Sequence, residues 1–187
     1  KLGRVHSANE AIIAAEIAHQ AGFENFNLDL MFGLPDSSPA DSLKDVETAI
    51  SLKPTHISLY QLTLEPNTYF HKFPPQLPND ELIFDTQTHC QKRLADHGYQ
   101  HYEVSAYSQR GLQCKHNINY WQFGDYLGIG AGAHGKITKT LPNQITRTFK
   151  PKSPEQYLKD THKNGGVETI AVGELPLEFI MNHLRLK

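Results

Sequence analysis

The sequence predicts an α/β protein built on a parallel sheet, and three observations carry the prediction. Helix-type and strand-type segments alternate over the first 65 residues. Two helix starts are written in capping residues, Ser7-Ala8-Asn9-Glu10 and Ser38-Pro39. Each expected strand is followed by a connection long enough to hold a covering helix. Such a sheet is either open or closed into a barrel, and in both layouts chemistry sits at the carboxyl ends of the strands.

The elements follow in order. Ser7 and Glu10 form a capping box, and Ile12, Ile13 and Ile17 with Ala14, Ala18 and Ala21 mark a helical stripe that ends at Gly22. In Phe26–Phe32 the residues Phe26, Leu28, Leu30 and Phe32 share one face, with Asn27, Asp29 and Met31 on the other. Gly33-Leu34-Pro35 ends that strand. Pro39 opens a second helix whose stripe is Leu43, Val46 and Ile50. A second strand is expected over residues 56–64. The proline-rich stretch 65–78 reads as a surface excursion, and a helix is expected from about Asp80 to His97, closed by Gly98. Residues 99–107 alternate as one strand. Residues 125–130 suggest a short strand entering a glycine-rich turn. Further on, 145–149 suggests a strand, Ser153-Pro154-Glu155-Gln156 a helix start, and 176–187 a helix with Leu177, Ile180, Met181 and Leu184 in register.

Composition excludes several function classes. The 187 residues hold 18 Lys+Arg against 20 Asp+Glu, a net charge of −2, so there is no basic excess for nucleic acid. Mean hydropathy is −0.50, and no apolar run is long enough for a transmembrane helix. Two cysteines without paired spacing suit a reducing, cytoplasmic setting.

Several residues have the chemistry for a site. Asp29 is a carboxylate inside an apolar strand, which either caps a neighbouring loop or faces a ligand. Gly130-Ala131-Gly132-Ala133-His134-Gly135 has G-x-G-x-x-G spacing, but β-prone residues follow where a dinucleotide fold needs a helix. These glycines are expected instead to let backbone approach another element or a ligand. Of the 11 histidines, His116 and His134 lie in unusual local sequence. Cys114-x-His116 offers two metal donors without a second pair. The string His116-Asn117-Ile118-Asn119-Tyr120-Trp121 is either an aromatic anchor for a loop or a flat apolar surface beside an axial ligand, as a porphyrin requires.

Taken together, these strings resemble the HemW-type proteins, heme chaperones of the radical S-adenosylmethionine (SAM) family that are similar to oxygen-independent coproporphyrinogen III oxidase. The resemblance rests on Leu2-Gly3-Arg4-x-His6, Asn27–Met31 with Gly33-Leu34-Pro35, His56-Ile57-Ser58 with Tyr60–Thr63, and Gly98-Tyr99 with Tyr102-Glu103-x-Ser105. It continues through His116–Trp121 and Gly128-x-Gly130-x-Gly132-Ala133-His134-Gly135.

The resemblance implies the C-terminal part of an incomplete parallel (βα)6 radical SAM barrel with a C-terminal α+β extension. Residues 1–65 would be the last helix–strand units of the barrel, 66–170 the extension, and 171–187 the start of a further helical domain. It implies that Arg4, Asp29, Thr63 and His134 contact SAM. It implies heme at the H-N-x-x-Y-W string, with His116 as iron ligand and Tyr120 and Trp121 against the macrocycle. The expected activity is heme binding and transfer to an acceptor protein. The alternative is a coproporphyrinogen III dehydrogenase that decarboxylates by a SAM-derived radical. The family's C-x3-C-x2-C motif for a [4Fe–4S] cluster is not in these 187 residues, so the cluster is expected only in a full-length protein and radical chemistry is not expected of this chain alone.

Overall fold

The computed structural model describes residues 6–140, 143–159 and 165–187, without the side chain of Asn143. The chain divides into two compact units, residues 1–113 with Lys187, and residues 114–186. The boundary expected after residue 65 falls inside the first unit, because strands beyond it join the same sheet.

In the first unit, α1 (Ala8–Gln20) begins with the expected capping box: Glu10 N–H donates to Ser7 Oγ and Ser7 N–H to the Glu10 carboxylate. Its stripe is not buried as the spacing suggests. Only Ala15 is buried, while Ile13 and Ile17 are exposed. Then come β1 (Asn27–Phe32), α2 (Pro39–Ser51) and β2 (His56–Gln61). A second capping box at Ser38 and Asp41 starts α2. A short α3 (Tyr69–Lys72) lies within the proline-rich excursion, and α4 (Asp80–Asp96) is capped by Asn79, whose Oδ1 accepts from Leu82 N–H.

The expected single strand over 99–107 is two strands, β3 (Gln100–Glu103) and β4 (Ala106–Ser108). Buried Glu103 accepts hydrogen bonds from Ser105 N–H (3.0 Å) and Oγ (3.1 Å), which turns the chain between them. The sheet order is β1-β2-β4-β3. β1 and β2 pair in parallel, as expected, while β4 pairs antiparallel with both β2 and β3. The hairpin thus ends the parallel series.

One face of this sheet is apolar. Phe32, Ile57, Leu59 and Tyr107 pack there with Val46 and Ala49 of α2 and Ile83, Cys90 and Leu94 of α4. Burying such side chains contributes roughly 1.5–3 kcal/mol each. Cys90 is fully buried, and loss of hydration followed by the nearby Asp45 charge pushes its thiol up to about 11. The other face carries Asn27, Asp29, His56 and Ser58, as the alternation predicts.

The second unit opens with α5 (Lys115–Trp121) and contains a three-stranded antiparallel sheet, β5 (His134–Thr140), β6 (Asn143–Phe149) and β7 (Gly166–Thr169). It also contains α6 (Pro154–Lys159) and α7 (Leu175–His183). Residues 125–130 do not form the expected strand. They make one bridge, Tyr126 with Lys136, and then cross β5. A Cβ at Gly128 would collide with the His134 backbone, and one at Gly135 would meet Thr148 Oγ1 at 2.6 Å. The glycines therefore serve close approach to another element.

Candidate functional site

In the first unit a polar chain of side chains crosses the sheet. Asn27 Nδ2 donates to Asp29 Oδ1 (2.6 Å), and Asn27 Oδ1 accepts from Ser58 Oγ (3.1 Å) and from His56 Nδ1 (2.7 Å). His56 Nε2 meets Tyr102 Oη at 2.7 Å. An amide oxygen only accepts, so His56 Nδ1 is the donor to Asn27. Asp29 also lines an open groove of about 500 Å3 between α1, β1 and α2, with Ile12, Leu28, Leu30 and Lys44.

Asp29 is the third residue of six in β1, rather than at its carboxyl end. Thr63 is exposed and lies two residues beyond β2, which stops at Gln61 rather than continuing to residue 64. Arg4, the other expected SAM contact on this part of the chain, lies outside the described residues. His134 belongs to the second unit.

In the second unit the H-N-x-x-Y-W string is the helix α5, which its mixed polar and aromatic composition did not announce. Its N-cap is Cys114, whose Sγ lies 3.0 Å from His116 Nδ1 and 3.6 Å from Nε2. His116 and Tyr120, four residues apart, share a face with ring centroids 6.3 Å apart, edge to face. Tyr120 in turn meets the Tyr126 ring edge-on at 4.5 Å. Both His116 and Tyr120 are exposed.

The helix ends at a turn that is held from below. Phe123 adopts a left-handed conformation, φ 61°. Asn119 secures the turn by accepting from Gly124 N–H through its carbonyl and donating from Nδ2 to Asp125 O. Lys136, 2% exposed, donates to Phe123 O (2.7 Å) and Asp125 Oδ1 (3.2 Å), and its ammonium lies 4.0 Å from the Phe123 ring centroid. Burial opposes the Asp125 charge, but the Thr138 N–H and hydroxyl and the Lys136 ammonium more than offset it, and its pKa is lowered.

Between α5 and the sheet is a cavity of about 350 Å3, lined by Tyr120, Trp121, Tyr126, His134, Lys136, Arg147 and Asn182. It gathers three sequence-predicted residues, Tyr120, Trp121 and His134. The guanidinium of Arg185 lies 4.2 Å from the Trp121 ring centroid, and Trp121 Nε1 is buried without a hydrogen-bond acceptor. Arg147 donates to Glu178 (2.6 Å) and Tyr126 Oη (3.4 Å). Sequence reasoning missed Lys136, Arg147 and Asn182. The one local signal was a lysine at an inward position of a β-prone segment.

These residues fit the implied groups unequally. The exposed His116 imidazole beside an aromatic cavity with an orphaned N–H suits a heme edge. Asp29 suits a hydroxyl or ammonium donor. The two cysteines do not suit a [4Fe–4S] cluster: Cys90 is sealed in the core, and three thiolates are required. Among the described residues no three His, Cys, Asp or Glu side chains are grouped to hold a metal ion, and no helix is long and apolar enough to cross a membrane.

No protein-family model matches the chain. It is 48% identical over 188 residues to the heme chaperone HemW of Haemophilus influenzae and 47% identical over 187 residues to that of Escherichia coli, in both cases along 100% of its own length. It is 32% identical over 194 residues to the heme chaperone HemW of Mycobacterium tuberculosis. It covers 48% of the first relative, 49% of the second and 48% of the third, so it spans about half the length of the curated relatives it matches. The solved structure of coproporphyrinogen III oxidase (HemN) from Escherichia coli, a radical SAM enzyme, matches with a TM-score of 0.78 at 16% identity, over 99% of this chain and 46% of that one. The fold is therefore the mixed α/β arrangement found in part of that enzyme.

Proposed function

We propose, from whole-chain similarity to HemW-type heme chaperones, that this chain is the heme-handling part of a protein that binds heme and passes it to an acceptor protein. The observation that carries the reading is α5, which presents His116 and Tyr120 on one exposed face and puts Trp121 and Tyr120 into the wall of the cavity beneath. His116 would ligate the iron, and Tyr120 and Trp121 would pack on the macrocycle. Bound heme supplies the iron; the chain supplies an imidazole, an aromatic wall and polar donors. In the same longer protein, Arg4, Asp29 and Thr63 would line SAM, with Asp29 held by Asn27 so that its carboxylate accepts from the ligand.

Hemin titration tests this. Added hemin is expected to give a shifted Soret band, and His116→Ala to abolish that shift. A shift and affinity unchanged by His116→Ala would remove the ligand assignment. The alternative, a coproporphyrinogen III dehydrogenase, is supported by likeness of fold to HemN. Protoporphyrinogen formation by the longest polypeptide carrying this chain would favour it over the chaperone reading.

A further inference from the structure

The cavity beneath α5 has a property that heme ligation through His116 does not require. Lysine and arginine, Lys136 and Arg147, stand in its wall together with His134 and Asn182, and among the described residues no carboxylate side chain lines it. The counter-charges of the two cations, Asp125 and Glu178, lie outside that wall. A third cation, Arg185, covers the Trp121 ring. Beside these ion-paired cations the Trp121 Nε1–H is buried without an acceptor. A buried tryptophan N–H ordinarily finds a partner, and leaving one unmatched is unfavourable. The guanidinium of Arg147 carries five donors, more than its contacts to Tyr126 and Glu178 use.

An anionic acceptor would complete these donors. About 350 Å3 is too small for a whole porphyrin but accommodates one short side arm. From this we infer that the cavity takes a carboxylate, specifically one propionate arm of the tetrapyrrole, with Trp121 Nε1 and Arg147 as its donors. The inference rests on the heme reading above and deepens it: the aromatic helix holds the macrocycle edge while the cavity fixes its orientation by one acidic arm. Charge-assisted hydrogen bonds from an arginine to a carboxylate are among the strongest a site of this size can make.

The test compares hemin with hemin dimethyl ester, in which both carboxylates are blocked. The chain is expected to bind the ester about tenfold or more weaker than the acid. Trp121→Phe keeps an aromatic ring and loses the N–H. Arg147→Gln removes the cation. Arg147→Gln is expected to bring the acid-to-ester ratio close to one, and Trp121→Phe, which leaves Arg147 in place, to narrow it. Because Arg147→Gln also breaks the contact to Glu178, the Trp121→Phe result stands by itself if the arginine variant fails to fold.

Equal binding of acid and ester overturns the propionate assignment and leaves heme binding intact, as does a ratio that neither variant narrows. No Soret change with either compound overturns the heme reading and this inference together. A free-anion site is distinguished by titrating acetate and inorganic phosphate alone. The chain has a single tryptophan, so its indole N–H is one resonance. If acetate or phosphate shifts that resonance while acid and ester bind alike, the cavity serves small anions and the propionate assignment falls.

Discussion

Asn27 and His56 are directly paired residues of the parallel strands β1 and β2, and their side chains meet at 2.7 Å. The pair links Asp29 on one side to Tyr102 on the other, so one face of the sheet carries a continuous hydrogen-bonded chain. His56 is 5% exposed and Tyr102 9%, so removing the His56 ring takes a hydrogen-bond partner from a buried hydroxyl. His56→Leu is expected to destabilise the first unit by about 1–3 kcal/mol, whereas a surface histidine such as His71 changed to leucine has little effect. Urea denaturation of the two variants checks this; equal midpoints would show that the chain contributes nothing.

The two cysteines are expected to part company in reactivity. Cys90, with its thiol pushed up to about 11, stays protonated and sealed, while Cys114 is partly exposed at the head of α5. Native protein at pH 8 is expected to take up thiol reagent at Cys114 alone, and denatured protein at both positions. Mass spectrometry of the labelled peptides identifies which thiol reacted.

The same groups set the alkaline limit of stability. Folding raises Cys90 from its ordinary 9.0 to about 11, and Tyr107 from 10.0 to about 12, in each case chiefly through burial. A raised pKa means that the folded state holds the proton more tightly. The stabilisation is therefore complete below pH 9 and is lost as pH climbs through 9–11 for the thiol and 10–12 for the phenol. Thermal midpoints measured from pH 8 to 11 are expected to fall, and the fall to start later in Cys90→Ala.

Capping boxes at Ser7 and Ser38 share their geometry but not their setting. The helix begun by Ser38 buries Ser42, Val46 and Ala49, while that begun by Ser7 buries Ala15. Ser38→Ala is expected to cost about 1 kcal/mol of global stability, and Ser7→Ala to fray its own helix with a smaller global effect. Hydrogen exchange at the first-turn amides, set beside the unfolding midpoint, separates the two outcomes.

Gly128→Ala places a methyl group against the His134 backbone, which has no flexible end to yield. It is expected to detach residues 126–132 from β5 and open the cavity, with loss of hemin affinity. Gly22→Ala meets nothing within 4 Å and pays only for its positive φ of 85°, which costs about 1 kcal/mol. Hemin titration of both variants is the check, and retained affinity in Gly128→Ala would contradict the role given to that crossing.

Elements with a cap and a clean period were legible. Ser7, Ser38 and the alternation of Leu28, Leu30 and Phe32 each announced an element that formed. The 99–107 segment misled because alternation continues through Val104 and Ser105, while the buried Glu103 that turns the chain there is visible only in three dimensions. α5 was invisible as a helix because His116, Asn117, Asn119 and Tyr120 give no apolar stripe. The cavity was half legible: Tyr120, Trp121 and His134 stood in distinctive strings. Lys136, Arg147 and Asn182 looked ordinary, since only folding brings them to one wall.

The order of strands also sets how far the chain must search to form each sheet. β5 and β6 pair from Thr140 with Asn143 outward, a hairpin between neighbours in sequence. The other sheet needs His56 against Asn27 on one side and against Ser108 on the other, partners separated by entire helices. Loop closure must precede those contacts, so pairings of this kind form slowly. The β5–β6 hairpin in the unit that carries α5 can therefore close locally, while the sheet that carries Asp29 depends on long-range encounters of its strands.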